Sequence, residues 1–170
     1  MNLFIYVSLI LAITITNCKA FFNSNGFSLT WSDLGDSVRF TYKLKALAAN
    51  NVWAGFGLSK DDQMGLDDIV ICKSFGNQKS VQRHFSLGKF RPPLLDLFRP
   101  TIGLLNSSVI LNGDEMTCSF NRLKSMPKVI NYYDLKKKHF FLFAKGTTDR
   151  LGLIQPHGRN KIRSSYQTEF

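Results

Sequence analysis

Residues 52–72, VWAGFGLSKDDQMGLDDIVIC, decide the fold because they predict two strands joined by a polar loop. In WAGFG, at residues 53–57, the alternation gives one face bulk and leaves room beside the backbone on the other. Residues 69–71, IVI, form a β-branched run that ends on Cys72. Met64 stands at the end of the loop, where a thioether either fills a gap in the packing or ligates a soft metal.

Short strand patterns separated by turns fill the rest of the chain. Residues 37–45 show the clearest alternation of apolar and polar side chains, which indicates a strand with one buried face. Further strands are predicted at residues 27–31, 81–87, 109–111, 116–120 and 139–144. Residues 88–100 contain three prolines and predict an irregular connection. No segment has a helical period, so we expect an all-β fold, an immunoglobulin-like antiparallel β-sandwich.

The N-terminus predicts export. Residues 1–20 contain an apolar run at residues 3–15 and an A-x-A-like end, typical of a secretory signal peptide. The run is too short for a membrane-spanning helix, which needs roughly 20 apolar residues. We therefore expect a secreted, extracellular protein with no transmembrane segment in the mature chain. One domain at residues 21–160 would follow, and then a basic C-terminal tail at residues 161–170. The basic stretch at residues 159–163, where the domain meets the tail, is expected to be frayed.

Two covalent modifications follow from an oxidising compartment. Cys72 and Cys118 are the cysteines left after the signal peptide, and they are expected to form a disulfide, the alternative being two free buried thiols. Asn106 begins the sequon Asn-Ser-Ser and is a predicted glycosylation site on a loop.

The net charge of +10 favours binding to anionic surfaces or glycans. No basic-aromatic pattern for nucleic acid is present, and nucleic acid is not expected as a partner.

An ordered set of short segments resembles a DOMON domain over roughly residues 27–158. The segments are WAGFG at 53–57, Met64-Gly65, DIV at 68–70, CSFNR at 118–122, FFLFAKG at 140–146 and a late His157. Their order is similar to that in ferric-chelate reductase 1-like (stromal cell-derived receptor 2-like) proteins. In that group Cys72 and Cys118 also match a cysteine pair.

This resemblance implies a β-sandwich that binds either haem or sugars. Haem-binding members, such as the cytochrome domain of cellobiose dehydrogenase and domains fused to cytochrome b561, hold a b-type haem between a Met and a His. The match places Met64 and His157 at those two positions. A Met/His pair raises the reduction potential of iron and leaves no open site, so the implied role is extracellular electron transfer. The implied partner is a redox protein or a membrane cytochrome b561.

Other readings of the same residues stay open. Met64 alone is also explained as a loop residue packed over the core, and His157 as a solvated loop histidine. The second hypothesis is a haem-free module that recognises a sugar or a partner protein. Related proteins carry a transmembrane cytochrome b561 module after this domain, whereas this sequence ends at Phe170. An electron carrier or binding domain is therefore expected rather than a stand-alone enzyme.

Secondary expectations concern the walls of the site and the remaining polar residues. The expected aromatic walls are Trp53, Phe56, Phe85, Phe98 and Phe143. Arg159 and Lys161 are placed to meet haem propionates, or are simply part of a basic tail. The histidines His84 and His139 lie within strand patterns and are expected to have structural roles. The acidic residues Asp61, Asp62, Asp67 and Asp68 lack the spacing of a calcium loop and are expected to be exposed turn carboxylates.

Overall fold

The computed structural model describes residues 19–24, 26–48, 50–88 and 90–170 of the chain. Residues 1–18, most of the predicted signal peptide, lie outside the described residues. The ten strands are β1 Lys19–Ser24, β2 Phe27–Asp33, β3 Ser37–Lys45, β4 Val52–Ser59, β5 Asp68–Phe75, β6 Gln78–Phe85, β7 Leu104–Asn112, β8 Glu115–Leu123, β9 Phe140–Thr147 and β10 Lys161–Arg163. Within the described part of the chain, no helix is long and apolar enough to cross a membrane.

The strands form two antiparallel five-stranded sheets. The first sheet has the order β1-β2-β3-β8-β7 and the second sheet the order β10-β9-β4-β5-β6. Alternate side chains of each sheet point into the space between them, as the pattern at residues 37–45 predicts. Phe40 of β3 meets Phe56 of β4 across this space at 5.2 Å between ring centroids, and Phe27 meets Phe143 at 5.6 Å. The predicted β-sandwich is thereby confirmed.

Strand β4 is buried along its whole length. One of its faces belongs to the core between the sheets, where the Tyr42 hydroxyl donates a hydrogen bond of 3.0 Å to the carbonyl of Ala54. Its other face belongs to the outer face of the second sheet, and the residues on that face are buried as well. A strand covered on both faces explains why residues 52–59 contain few polar side chains.

The disulfide joins the two sheets. Cys72 of β5 and Cys118 of β8 are bonded, with their Cα atoms 6.3 Å apart, and both residues are fully buried. This confirms the predicted pairing and places the bond inside the core.

The C-terminal end is ordered, so the prediction that residues 159–163 are frayed is wrong. Strand β10 pairs with the edge of β9, where Ile162 lies opposite Phe143. Ile162 packs against the core, which explains why a basic segment adopts this position. Phe170 then places its ring 5.6 Å from that of Trp31 and 5.0 Å from that of Phe40.

Two further differences from prediction concern strand boundaries. β1 includes Lys19 and Ala20, which pair with β2 although the predicted signal peptide extends to residue 20. Asn106 lies within β7 and not on a loop. It is exposed, has a backbone φ of 49° and occupies an irregularity between Leu105 and Ser108.

Residues 86–88 and 90–103 belong to the irregular connection predicted from the prolines, and part of it runs beside β6. The Leu95 amide donates to the Arg83 carbonyl at 2.9 Å, and the Phe85 amide donates to the Pro93 carbonyl at 3.1 Å. These bonds satisfy backbone groups on the outer edge of the second sheet.

Candidate functional site

A cavity of about 870 Å³ lies on the outer face of the second sheet. Its floor is made by outward-facing residues of three neighbouring strands. They are Gly55 and Gly57 of β4, Ile69 and Ile71 of β5, and Leu142 and Ala144 of β9. The floor is therefore apolar, and the size of the cavity falls in the range of small-molecule and cofactor sites.

The two glycines of β4 create the space above the floor. A Cβ added to Gly57 would lie 3.4 Å from Cβ of Leu142 and 3.6 Å from Cγ1 of Ile69. A Cβ added to Gly55 would lie 3.4 Å from Cζ3 of Trp53. Larger side chains at these positions would extend from the floor into the cavity. The alternation in WAGFG thus explains the concavity directly.

Met64 lines the cavity from the loop between β4 and β5, and it is half-buried. The backbone on its C-terminal side is held at two points. The Gly65 amide donates to Oδ2 of Asp67 at 2.7 Å, and the Tyr133 hydroxyl donates to the carbonyl of Leu66. Leu66 itself has a positive φ of 59°. The loop therefore has a defined shape where it presents the thioether.

His157 lines the same cavity from the connection between β9 and β10. Its Nδ1 lies 2.9 Å from the carbonyl oxygen of Gly158. A carbonyl oxygen only accepts, so a neutral imidazole donates from Nδ1 and keeps Nε2 free of a proton. Free Nε2 is the form in which a histidine ligates a metal. The fold thus brings Met64 and His157 to one cavity although 93 residues separate them (157 − 64 = 93).

The predicted aromatic walls are partly correct. Trp53 lines the cavity. Phe143 borders the cavity, but its ring packs in the core against Phe27 and Phe56. Phe56 and Phe85 do not line it, because their side chains lie in the core on the opposite face of the second sheet. Phe98 is 96% exposed in the connection between β6 and β7.

The floor residues Ile69, Ile71, Leu142 and Ala144 were missing from the predicted walls. They belong to continuous apolar runs, in which period-two alternation does not distinguish the cavity face from the core face. The register between β4 and its two neighbours was needed to separate the faces.

Basic side chains also line the cavity. Lys161 does so as predicted, whereas Arg159 does not. Arg91 and Arg163 are two further lining cations that the sequence did not single out. Arg163 forms an ion pair with Asp62, and the side of the cavity formed by β10 is therefore not purely apolar.

Asp67 is buried in the cavity wall and is not the exposed turn carboxylate that was expected. Desolvation by burial, with a smaller contribution from the carboxylates of Asp61 and Asp68, raises its pKa to about 6, although hydrogen bonds with Ser59 and Gly65 oppose the shift. The Oδ1 atom of Asp67 has no hydrogen-bond partner among the described residues. The site therefore contains a carboxyl group whose charge changes near neutral pH.

Asp68 is likewise buried, and it connects the two sheets. It forms ion pairs with Arg83 of β6 and, at 2.6 Å, with Arg122 of β8, and its Oδ2 also accepts the Tyr133 amide at 2.8 Å. The ring of Tyr132 lies over both guanidinium groups, 4.4 and 4.6 Å from their Cζ atoms. Arg83 shares a strand face with the apolar residues Val81 and Phe85. This position in the sequence was the sign that its guanidinium group is buried and therefore has a buried acidic partner.

The other two histidines lie outside the cavity. His139 is buried, stacks on Tyr133 at 5.4 Å and has Nε2 2.8 Å from the carbonyl of Asp134. His84 has Nδ1 3.0 Å from the carbonyl of Pro92. Burial lowers the pKa of both imidazoles. Among the described residues, no group of three or more His, Cys, Asp or Glu side chains is placed to hold a metal ion.

The fold and cavity together define a two-sheet β-sandwich with an apolar, ligand-sized cavity on the outer face of one sheet. The model of the family described as the DOMON domain matches residues 23–146. The chain belongs to the DOMON domain family, as its resemblance indicated. Met64 lies inside the matched residues and His157 lies beyond them.

Two relatives show how the chain compares with longer proteins. It is 23% identical over 154 residues to the DOMON domain-containing protein FRRS1L of Homo sapiens, a match that covers 84% of this chain and 48% of that protein. It is 29% identical over 117 residues to a putative ferric-chelate reductase 1 of Danio rerio, covering 66% of this chain and 19% of that protein. The chain thus spans about half the length, or less, of these relatives.

Two solved structures share the fold. The cytochrome domain of Myriococcum thermophilum cellobiose dehydrogenase aligns with a TM-score of 0.60 at 11% identity, covering 91% of this chain and 83% of that one. The cytochrome b domain of pyranose dehydrogenase from Coprinopsis cinerea aligns with a TM-score of 0.51 at 10% identity, covering 80% and 74%. At these identities the alignments establish the architecture.

Proposed function

We propose that this domain binds a b-type haem in the outer cavity and carries single electrons, with Met64 and His157 as the two axial ligands. The observation that carries the proposal is that these two side chains, far apart in sequence, line one apolar cavity. A haem held between a thioether and an imidazole supplies one-electron transfer at a raised potential. The cytochrome domains among the structural neighbours support this choice of ligand.

The residues present fit such a group in three respects. The floor of glycine and aliphatic residues offers a dry surface for a flat, apolar ring system. The Gly158 carbonyl orients the imidazole of His157, as second partners of metal-bound histidines commonly do. The cations Arg91 and Lys161 line the cavity and would attract the propionate carboxylates.

Export and modification belong to the same proposal. A buried Cys72–Cys118 disulfide suits an oxidising compartment, which supports secretion and an extracellular redox partner. Asn106 is exposed on β7 and would be accessible to glycosylation. If it carries a glycan, enzymatic deglycosylation of protein secreted from eukaryotic cells lowers the mass of the wild type and leaves that of Asn106→Gln unchanged.

The test of haem binding is optical titration of the purified protein with haemin, followed by reduction. We expect a Soret band and a six-coordinate, low-spin spectrum in the wild type. Met64→Ala and His157→Ala should each lose the low-spin spectrum, and added imidazole should restore it in His157→Ala. Met126→Ala is the matched control, because Met126 packs near Gly103 and does not line the cavity.

Two results would contradict the proposal. One is a wild type that stays colourless after loading with haemin, and the other is a spectrum that both ligand variants leave unchanged. A colourless protein that binds carbohydrate or a partner protein would instead support the haem-free binding module.

A further inference from the structure

The indole of Trp53 connects the cavity to the segment that carries His157. Trp53 lines the cavity and is only 6% exposed. Its Nε1 donates a hydrogen bond of 3.1 Å to the carbonyl of Gln155, two residues before His157. The bond also satisfies an indole N–H that burial would otherwise leave without a partner.

Gly146 allows the indole to take this position. Gly146 of β9 lies opposite Trp53 in the pairing with β4. A Cβ at this glycine would lie 2.6 Å from Nε1 of the indole and 2.8 Å from Cε2, closer than real Cβ contacts occur. Any side chain at position 146 would therefore push the indole away from the backbone of β9 and disturb its bond to Gln155.

The chemistry of the intervening residue transmits this restraint to the histidine. The carbonyl of Gln155 belongs to the planar peptide unit that ends at the nitrogen of Pro156. The proline ring then fixes φ at about −65°, so ψ of Pro156 is the one soft backbone torsion before the peptide unit of His157. Holding the Gln155 carbonyl consequently restricts the direction from which the imidazole enters the cavity.

Other bonds hold the same segment but do not hold the Gln155 carbonyl. The Gln155 amide donates to the Thr147 carbonyl at 2.9 Å, and the Asn160 amide donates to the His157 carbonyl at 2.9 Å. They fix the two ends of a short loop. Among the described residues, the indole of Trp53 donates to the Gln155 carbonyl.

We propose that Trp53 is a positioning residue that aims His157 into the cavity, and that Gly146 is kept free of a side chain so that the indole can do so. This inference rests on the proposed function for its consequence on haem ligation. The positioning itself is a property of the protein without any ligand, which allows the two to be tested separately.

The first test uses haem-loaded protein and the variants Trp53→Phe and Gly146→Ala. In each variant, part of the low-spin spectrum should become five-coordinate. Haem transfer to excess apomyoglobin should become about fivefold to tenfold faster, because this factor corresponds to the net free energy of one hydrogen bond. Added imidazole should restore the low-spin spectrum. Because both changes break one contact, the double variant should be no worse than the more affected single variant.

The second test uses the apoprotein and follows hydrogen exchange at the Asn160 amide, which bonds to the His157 carbonyl. Trp53→Phe should speed this exchange severalfold. Trp31→Phe is the matched control for loss of an indole, since Trp31 packs against Phe141 and Phe170 and does not line the cavity. It should change neither the spectrum nor the exchange at Asn160, whatever its effect on stability.

The inference is overturned if Trp53→Phe keeps the wild-type spectrum, haem transfer rate and Asn160 exchange. It is also overturned if Trp31→Phe, at a similar loss of stability, changes the spectrum and the Asn160 exchange as much as Trp53→Phe does. A wild type that binds no haem, but in which Trp53→Phe loosens the His157 segment, would refute the proposed cofactor and keep the positioning role.

Discussion

Asp67 is a buried carboxyl group in the cavity wall, three residues after Met64. One of its oxygens accepts the Gly65 amide and the other has no hydrogen-bond partner among the described residues. The sequence could not reveal this, because the same four carboxylates in an open loop would all be exposed. Burial follows from the way the loop folds back against the second sheet.

The first prediction concerns the pH dependence of stability. The pKa of Asp67 is raised from 3.8 to about 6 in the folded protein, so between these values the folded state holds a proton that the unfolded chain has released. The free energy of unfolding should therefore fall as pH rises from 4 through 6 and then level off, by up to about 3 kcal/mol. Asp67→Asn should match the wild type near pH 4 and exceed it at pH 7.5.

Urea unfolding of both proteins across pH 4–7.5 measures this difference, in which the titration of His84 and His139 cancels. Asp36→Asn, which changes an exposed carboxyl on the turn between β2 and β3, serves as the control and should follow the wild type. A constant difference between Asp67→Asn and wild type at every pH would contradict the assignment.

The second prediction concerns Asp68, which lies between two buried guanidinium groups. Asp68→Asn leaves Arg83 and Arg122 without a charge partner, so the free energy of unfolding should fall by about 3–5 kcal/mol. Asp33→Asn removes the more exposed ion pair with Lys124 and should cost less than about 1 kcal/mol. Equal losses in the two variants, measured by urea unfolding, would show that the buried cluster is unimportant.

At the scale of the elements, the outer face of β4 decides whether a cavity exists. Predicting β3, β4 and β5 from sequence succeeded because their side chains alternate or form β-branched runs. β1 and β10 were missed because a short strand with polar residues has no periodic signal. Strands of this kind form only because a neighbouring edge is available to pair with them.

The third prediction concerns a variant in which a larger side chain on β4 occupies part of the cavity. In Gly57→Val the added methyl groups extend over the floor next to Leu142 and Ile69, so haem affinity should fall at least about tenfold. The fold should persist, because valine favours strands. Haemin titration and urea unfolding measure the two effects. Lys43→Val, on the outer face of the first sheet, is the control and should leave haem affinity unchanged; unchanged affinity in Gly57→Val would contradict the prediction.

At the scale of the whole molecule, the two sheets are joined by more than apolar packing. The disulfide, the Tyr42 hydroxyl and the Asp68 cluster each connect one sheet to the other. The cysteine count and the expected oxidising compartment supplied the disulfide pair, and resemblance to the family supplied the candidate ligands. That Met64 and His157 share a cavity depends on how β9 and the β4–β5 loop meet in space, which no local pattern expresses.

The fourth prediction concerns the disulfide. Cys72 and Cys118 are 46 residues apart, and closing a loop of this length stabilises the protein by about 4 kcal/mol in the chain-entropy model. The double variant Cys72→Ala/Cys118→Ala should lose stability of this order in urea unfolding. Wild type unfolded and refolded with reductant should match it, whereas the double variant should not respond to reductant. A reduced wild type as stable as the oxidised protein would contradict the prediction.

The irregularity at Asn106 has a consequence for contacts between molecules. β7 is an outer strand of the first sheet and carries the exposed apolar residues Leu105 and Ile110. A straight strand of this kind would be a template on which another chain could extend the sheet. The left-handed residue and the shifted register interrupt its row of amides and carbonyls, so an approaching strand could align over only a few residues. The irregularity at Asn106 therefore disfavours edge-to-edge pairing along β7.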